Sequence, residues 1–230
     1  TRVVDVTLST TTLQTMQQLQ SEGTYECTGH FDFDPSGDVH VQVYGRGTFV
    51  PEVSRAYAVS WHTHADTPDS FPDWPSRQDT LHILTTVGLH DEVHTHMIFT
   101  PRHIYAIGIG EALRDRLRKE SSAIPLIAQE IDEAYRSIFG HLTGGSTWTG
   151  DAVSRNVGPG PYASETRRWV EFLRDQGFDI TMWTSQKGRS VYNAPLRFEV
   201  PVRELSPTRL AAVLLGATSV GIAGYRMLRR

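Results

Sequence analysis

The sequence predicts an α/β or α+β domain. Short runs of alternating apolar and polar residues recur through the first 110 positions, and they are interspersed with stretches of helical apolar periodicity. No segment repeats. At 230 residues, with 39% hydrophobic and 21% charged side chains, the chain can bury one sizeable core, or form one domain with an appendage.

From the N-terminus, Val3 to Leu8 alternates as a short strand, and Leu13, Met16 and Leu19 give residues 11–19 one helical face. Tyr25 to Phe33 reads as a strand. The turn signal Asp34-Pro35-Ser36-Gly37-Asp38 follows, and Val39, Val41 and Val43 alternate beyond it, so the two strands form a hairpin. Residues 45–50 continue extended. The apolar strand Arg55 to Trp61 runs into His62, and the Pro- and Asp-rich stretch 65–75 is a loop. Ser76 opens a helix to about Val87, and Val93 to Phe99 and His103 to Ile109 are strands. Gly108 and Gly110 lack the third glycine of a dinucleotide loop and mark a strand-to-helix connection. Helical periodicity from Glu111 to Phe139 is broken near Pro125. The glycine-rich stretch 140–160 is a surface loop, Ser164 caps a helix running to Gln176, and Val191 to Val202 is extended. Trp148, Trp169 and Trp183 are expected to pack the C-terminal half.

The bulk properties exclude several classes. A net charge of −4 without a basic stripe gives no footprint for nucleic acid. The single Cys27 excludes an intrachain disulfide and a cysteine-based zinc finger, and fits a reducing, intracellular compartment. The first residues show no basic region followed by an apolar one, so no cleavable signal is expected. No G-x-S-x-G nucleophile pattern occurs.

Chemistry concentrates in residues 55–79, RAYAVSWHTHADTPDSFPDWPSRQD. On an extended segment, residues two apart point to the same side, so His62 and His64 can offer both imidazoles to one ion. Ser76-Arg77-Gln78-Asp79 has the form of a helix opening. Ser76 is the N-cap and Asp79 the third helical residue, where the helix dipole keeps a carboxylate ionised. Two His and one Asp leave a fourth tetrahedral position for water, as a catalytic zinc requires. Such a metal lowers the pKa of that water towards about 7 and polarises a carbonyl. Asp73 with Ser70 is a competing Ser-x-x-Asp, with Pro72 inside it, and Asp66 and Asp69 lie nearby. A second His-x-His, His94 and His96, reads as alternating side chains of a strand, with support of the metal site or alternative metal binding as its other uses.

The H-x-H…S-x-x-D pattern at the end of an apolar strand resembles the JAMM (MPN-plus) zinc metalloprotease family. The resemblance spans residues 20–110 and implies a mixed sheet flanked by helices. It also implies a Zn2+ ion on His62, His64 and Asp79, with Ser76 stabilising the tetrahedral intermediate. An upstream Glu would hold and deprotonate the water. Glu26, in Y-E-C-T-G with Gly29 following, matches the family's E-x-x-G, and Glu22 and Glu52 are the alternatives. Two features depart from the family pattern: Ala65 follows the second His in place of proline, and the loop from His64 to Ser76 is longer than usual. The W-P-S-x-x-D variant and the later HMIFTPRHIYAI are most similar to the JAMM-like domains of large DNA viruses.

These readings divide the chain into a JAMM-like catalytic core over 1–110, a helical and extended C-terminal extension over 111–205 packed on it, and a tail over 206–230. The tail holds an uncharged run, Leu210 to Tyr225, flanked by Arg209 and Arg226. It reads either as a terminal transmembrane anchor or as a buried helix. The implied function is a zinc-dependent isopeptidase or peptidase acting on ubiquitin-like or peptide substrates, in the cytoplasm. The alternative is a structural or assembly protein, virion- or capsid-associated among viral structural proteins, anchored to a membrane by its tail and retaining the fold with or without activity.

Overall fold

The computed structural model describes residues 2–22, 26–33, 38–46, 58–64, 73–89, 95–120, 123–143, 162–184 and 189–202. It is an α+β fold with a six-stranded mixed sheet and a two-stranded ribbon. The elements are β1 (Arg2–Leu8), α1 (Thr10–Ser21), β2 (Cys27–Phe33), β3 (Val39–Arg46), β4 (Ala58–Thr63), α2 (Arg77–Leu89), β5 (Thr95–Phe99), β6 (His103–Ile109), α3 (Glu111–Lys119), α4 (Ala123–Phe139), α5 (Ala163–Asp175), β7 (Phe178–Thr184) and β8 (Leu196–Val202).

The large sheet has the order β3-β2-β4-β5-β6-β7, and β1 pairs with β8 apart from it. Among the described strands of this sheet only β4 and β5 run parallel; each remaining neighbouring pair is antiparallel. A parallel pair needs a crossover, and α2 supplies it. The predicted hairpin is present as β2 and β3, with a register shift at Thr28/Gly29.

Alternation sorts the side chains into two layers. Phe31, Val59, Trp61, Met97, Phe99 and Ile104 point to the back, where Leu13 and Met16 of α1 and Val4, Val6, Phe198 and Val200 of the ribbon cover them. Ile98, Tyr105, Ile107, Phe178 and Ile180 point to the front, under Ile83 and Leu84 of α2, Ile127, Ile131 and Tyr135 of α4 and Trp169 of α5. Gly29 faces Trp61 across β2 and β4. A Cβ there would lie 2.0 Å from the Gln42 carbonyl oxygen and 2.5 Å from the Trp61 ring, so only glycine lets the indole lie on the backbone.

The helical run 111–139 does break near Pro125, between α3 and α4, with Pro125 itself in the first turn of α4 where its missing N–H costs nothing. Several expectations are corrected. Tyr162, not Ser164, is the N-cap of α5, and it makes no side-chain cap bond. Strand β7 went unread between Gln176 and Val191, and residues 191–193 form a 3-10 turn before β8. Gly110 caps α3 between β6 and that helix, a strand-to-helix connection as expected. Trp169 is buried under the front helices and Trp183 packs against the back core. The candidate tail anchor, Trp148, Glu52, Ala65, Ser70 and His94 lie outside the described residues. Among the described residues no helix is long and apolar enough to cross a membrane.

Candidate metal centre

The histidines sit where the alternation of β4 breaks its own hydrophobic rule. Val59, Trp61 and Thr63 face the back core, which turns Ser60 and His62 to the front. His62 is the fifth residue of β4, and His64 follows the strand end with its amide still bonded to the Phe99 carbonyl at 2.8 Å. Both imidazoles are buried, and their Nε2 atoms are 3.1 Å apart.

Glu26 reaches them through β2. Thr28 pairs with His62 in the antiparallel register, so continuing the register two residues brings Glu26 level with His64. The Cys27 amide donates to Thr63 Oγ1 at 3.1 Å and ties this segment to β4. Glu26, His62 and His64 are all buried, and their ligand atoms lie within 4.8 Å of one another, close enough to hold a metal ion together. The alternative Glu22 is exposed at the C-terminus of α1.

Asp79 arrives from the other direction. Its amide donates to Ser76 Oγ at 3.0 Å and the Ser76 amide donates to Asp79 Oδ2 at 2.7 Å, a reciprocal capping box that fixes the carboxylate in the first turn of α2. Oδ1 is 3.4 Å from His62 Nε2 and Oδ2 is 3.2 Å from His64 Nε2. Burial alone would raise the Asp79 pKa. The charges and hydrogen bonds of His62 and His64 outweigh it and hold the carboxyl well below its usual range. Asp73, the competing carboxylate, is turned elsewhere. It accepts from Thr100 Oγ1 and from the Arg102 amide, which pins the segment just before α2 to the β5–β6 turn.

The C-terminal half holds residues 74–75 and α2 in place. Trp74 stacks on Phe139 of α4 at 4.5 Å and its Nε1 donates to Tyr135. Trp169 of α5 donates to the Pro75 carbonyl at 2.9 Å, and Arg77 forms an ion pair with Asp132 of α4. Opposite, Gln20 of α1 donates to the carbonyls of His64 and Phe99, and Tyr192 donates to the Thr100 carbonyl. Thus α1 and the turn before β8 clamp the histidine strand, while α4 and α5 clamp the aspartate helix.

The donor set fits a metal ion. Two ligand atoms on one ion at about 2.0–2.1 Å in tetrahedral array lie about 3.3 Å apart, close to the 3.1 Å between the two Nε2 atoms and to the 3.4 Å and 3.2 Å from them to Asp79 Oδ1 and Oδ2 respectively. Two imidazoles and a carboxylate are a donor mixture suited to a divalent transition ion. Two further histidines stand beside the site: His96, for which support of the metal site was one of the alternative readings, and His82, to which no reading was attached. His96 Nε2 is 2.7 Å from His62 Nδ1 and its Nδ1 is 2.8 Å from Ser60 Oγ. Burial, then the charge of His62, holds His96 well below the usual histidine range. His82, one turn along α2 from Asp79, meets His96 edge-on at 6.3 Å, and burial followed by His62 lowers its pKa as well.

Comparison of the chain with family models, with curated proteins and with solved structures finds no match.

Proposed function

We propose that the chain is a zinc-dependent hydrolase of the JAMM type that cleaves isopeptide or peptide bonds of ubiquitin-like or other peptide substrates. The observation that carries this reading is the convergence of His62, His64 and Asp79 at 3.1–3.4 Å from two separate elements, with the Glu26 carboxylate beside both histidines. Three protein ligands leave one coordination position open, the hallmark of a catalytic rather than a structural zinc. Zinc bound there supplies a Lewis acid that acidifies water and polarises a carbonyl.

The chain's own residues do the rest. Glu26 holds the attacking water, takes its proton and returns it to the leaving amine. The Ser76 hydroxyl accepts from the Asp79 amide, leaving its own proton to donate to the oxyanion that forms on the substrate carbonyl. Asp79, kept ionised by its two histidines, supplies the negative charge that balances the cation.

Glu26→Gln tests the reading. Zinc content should persist while turnover of an isopeptide-linked ubiquitin substrate falls by about 10²–10⁴-fold. Undiminished turnover would remove Glu26 from this role. A second reading follows from the uncharged run Leu210 to Tyr225 between arginines. It makes the chain a membrane-anchored assembly component, in a virion or an infected cell, that keeps the metal site; wild-type protein that binds zinc and hydrolyses nothing would favour it.

A further inference from the structure

His62 has two ring nitrogens, and both are engaged. Nε2 faces His64 and Asp79, which makes it the ligand nitrogen. Nδ1 faces His96 Nε2 at 2.7 Å, and His96 Nδ1 faces Ser60 Oγ at 2.8 Å. All three residues are buried, and Ser60 and His96 are register partners on the parallel pair β4 and β5. That pairing places the His96 ring between Ser60 and His62, with ring centroids of His62 and His96 4.9 Å apart.

We infer that His96 is a positioning residue of the metal centre, which together with Ser60 locks His62 in the tautomer that presents a bare Nε2 to the ion. The inference rests on the metal-site reading given above. A ligand nitrogen must be unprotonated, so in a neutral imidazole the proton sits on Nδ1. Nδ1–H then donates to His96 Nε2, which must carry a lone pair. The His96 proton is therefore on its own Nδ1 and donates to Ser60 Oγ. Each contact in the chain has one donor and one acceptor, and the direction of the whole relay is set by the metal. Partners of this kind orient a ligating histidine and raise its basicity, and their loss lowers metal affinity by about 10–100-fold. The relay explains why a polar Ser and a second His are buried on a sheet face whose neighbours Ile98 and Tyr105 are apolar core.

The test is zinc affinity by competition with a chromophoric chelator, for wild type, His96→Leu and His96→Gln. Glutamine offers a carbonyl oxygen to His62 and an N–H to Ser60, whereas leucine fills the space with neither. The expected result is a 10–100-fold loss for His96→Leu and recovery to within about 3-fold of wild type for His96→Gln. Nitrogen-15 imidazole spectra of zinc-loaded wild type give a second readout independent of any variant. They should show His96 protonated on Nδ1 and His62 protonated on Nδ1. A His96 proton on Nε2, or equal affinities in wild type and His96→Leu, would overturn the positioning role while leaving the metal site standing. Wild type that takes up no zinc would instead overturn the metal reading itself.

Discussion

The back of the six-stranded sheet is apolar from β2 to β6, with Phe31, Val59, Trp61, Met97 and Ile104 closing on α1 and the ribbon. The front obeys that rule only over β5, β6 and β7, where Ile98, Tyr105, Ile107 and Ile180 meet the helices. On β2 and β4 the front instead buries Thr28, His30, Ser60 and His62, joined by His96 from β5. Burying polar groups costs free energy unless each finds a partner. The front groups find them: His30 lies between Asp32 and Tyr44, and His62 between His96 and Asp79. On the back, among the described residues, the Trp61 indole nitrogen is buried without any. One face is therefore built to cohere, and the polar half of the other is built around a chemical site at a cost that cohesion alone would not select.

Four perturbations separate the two faces. The largest effect belongs to the back: Trp61→Ala should lower unfolding free energy by about 3–5 kcal/mol, read from urea denaturation. A loss under 1 kcal/mol would mean that the indole is not the keystone of that face. Gly29→Ala comes next, at about 1–3 kcal/mol, because its Cβ would collide with the Gln42 carbonyl and the Trp61 ring. Combined with Trp61→Phe it should cost less than the sum, since the smaller ring frees part of the space.

The front responds to pH. Burial and the charge of His62 lower the pKa values of His96 and His82 below their ordinary 6.5. The unfolded chain then binds more protons than the folded one. The stability this gives is complete above about pH 6.5 and drains away as pH falls towards the folded values. Chelator-treated protein should thus show a lower urea midpoint at pH 5.5 than at pH 7.5, and equal midpoints would contradict a neutral, buried His96. The smallest effect is Arg77→Ala, which breaks a partly exposed ion pair between α2 and α4 and should cost below about 1 kcal/mol.

How much of this was legible in the sequence follows from how local each signal is. The β2–β3 hairpin and the Ser76 cap are written in adjacent residues: a turn cluster between alternating runs, and a Ser three positions before an Asp. The capping box makes the first turn of α2 self-specifying, which is why that helix start was readable. Strand β7 was missed although Phe178, Ile180 and Met182 alternate, because the run is short and starts directly after the helix turn at Gly177. The break before α4 was legible to within a few residues because a proline is tolerated in a helix's first turn and not in its interior, so it marks a boundary close by. For His96, support of the metal site stood as an alternative to plain strand alternation, and its own strand could not choose between them: alternation says only that it shares a face with Ile98, and the parallel register with Ser60 is what brings it to His62. Gln20 and Trp169 likewise act across 44 and 94 residues of chain, on backbone carbonyls that carry no sequence signature.

If the polar half of the front face exists to hold a metal ion, metal analysis of freshly purified protein will find it there. Wild type should carry about one zinc per chain. His62→Ala/His64→Ala that retains the circular dichroism of the fold should carry none. Wild-type protein that carries no metal as purified, and binds none when zinc is added back, would contradict that purpose.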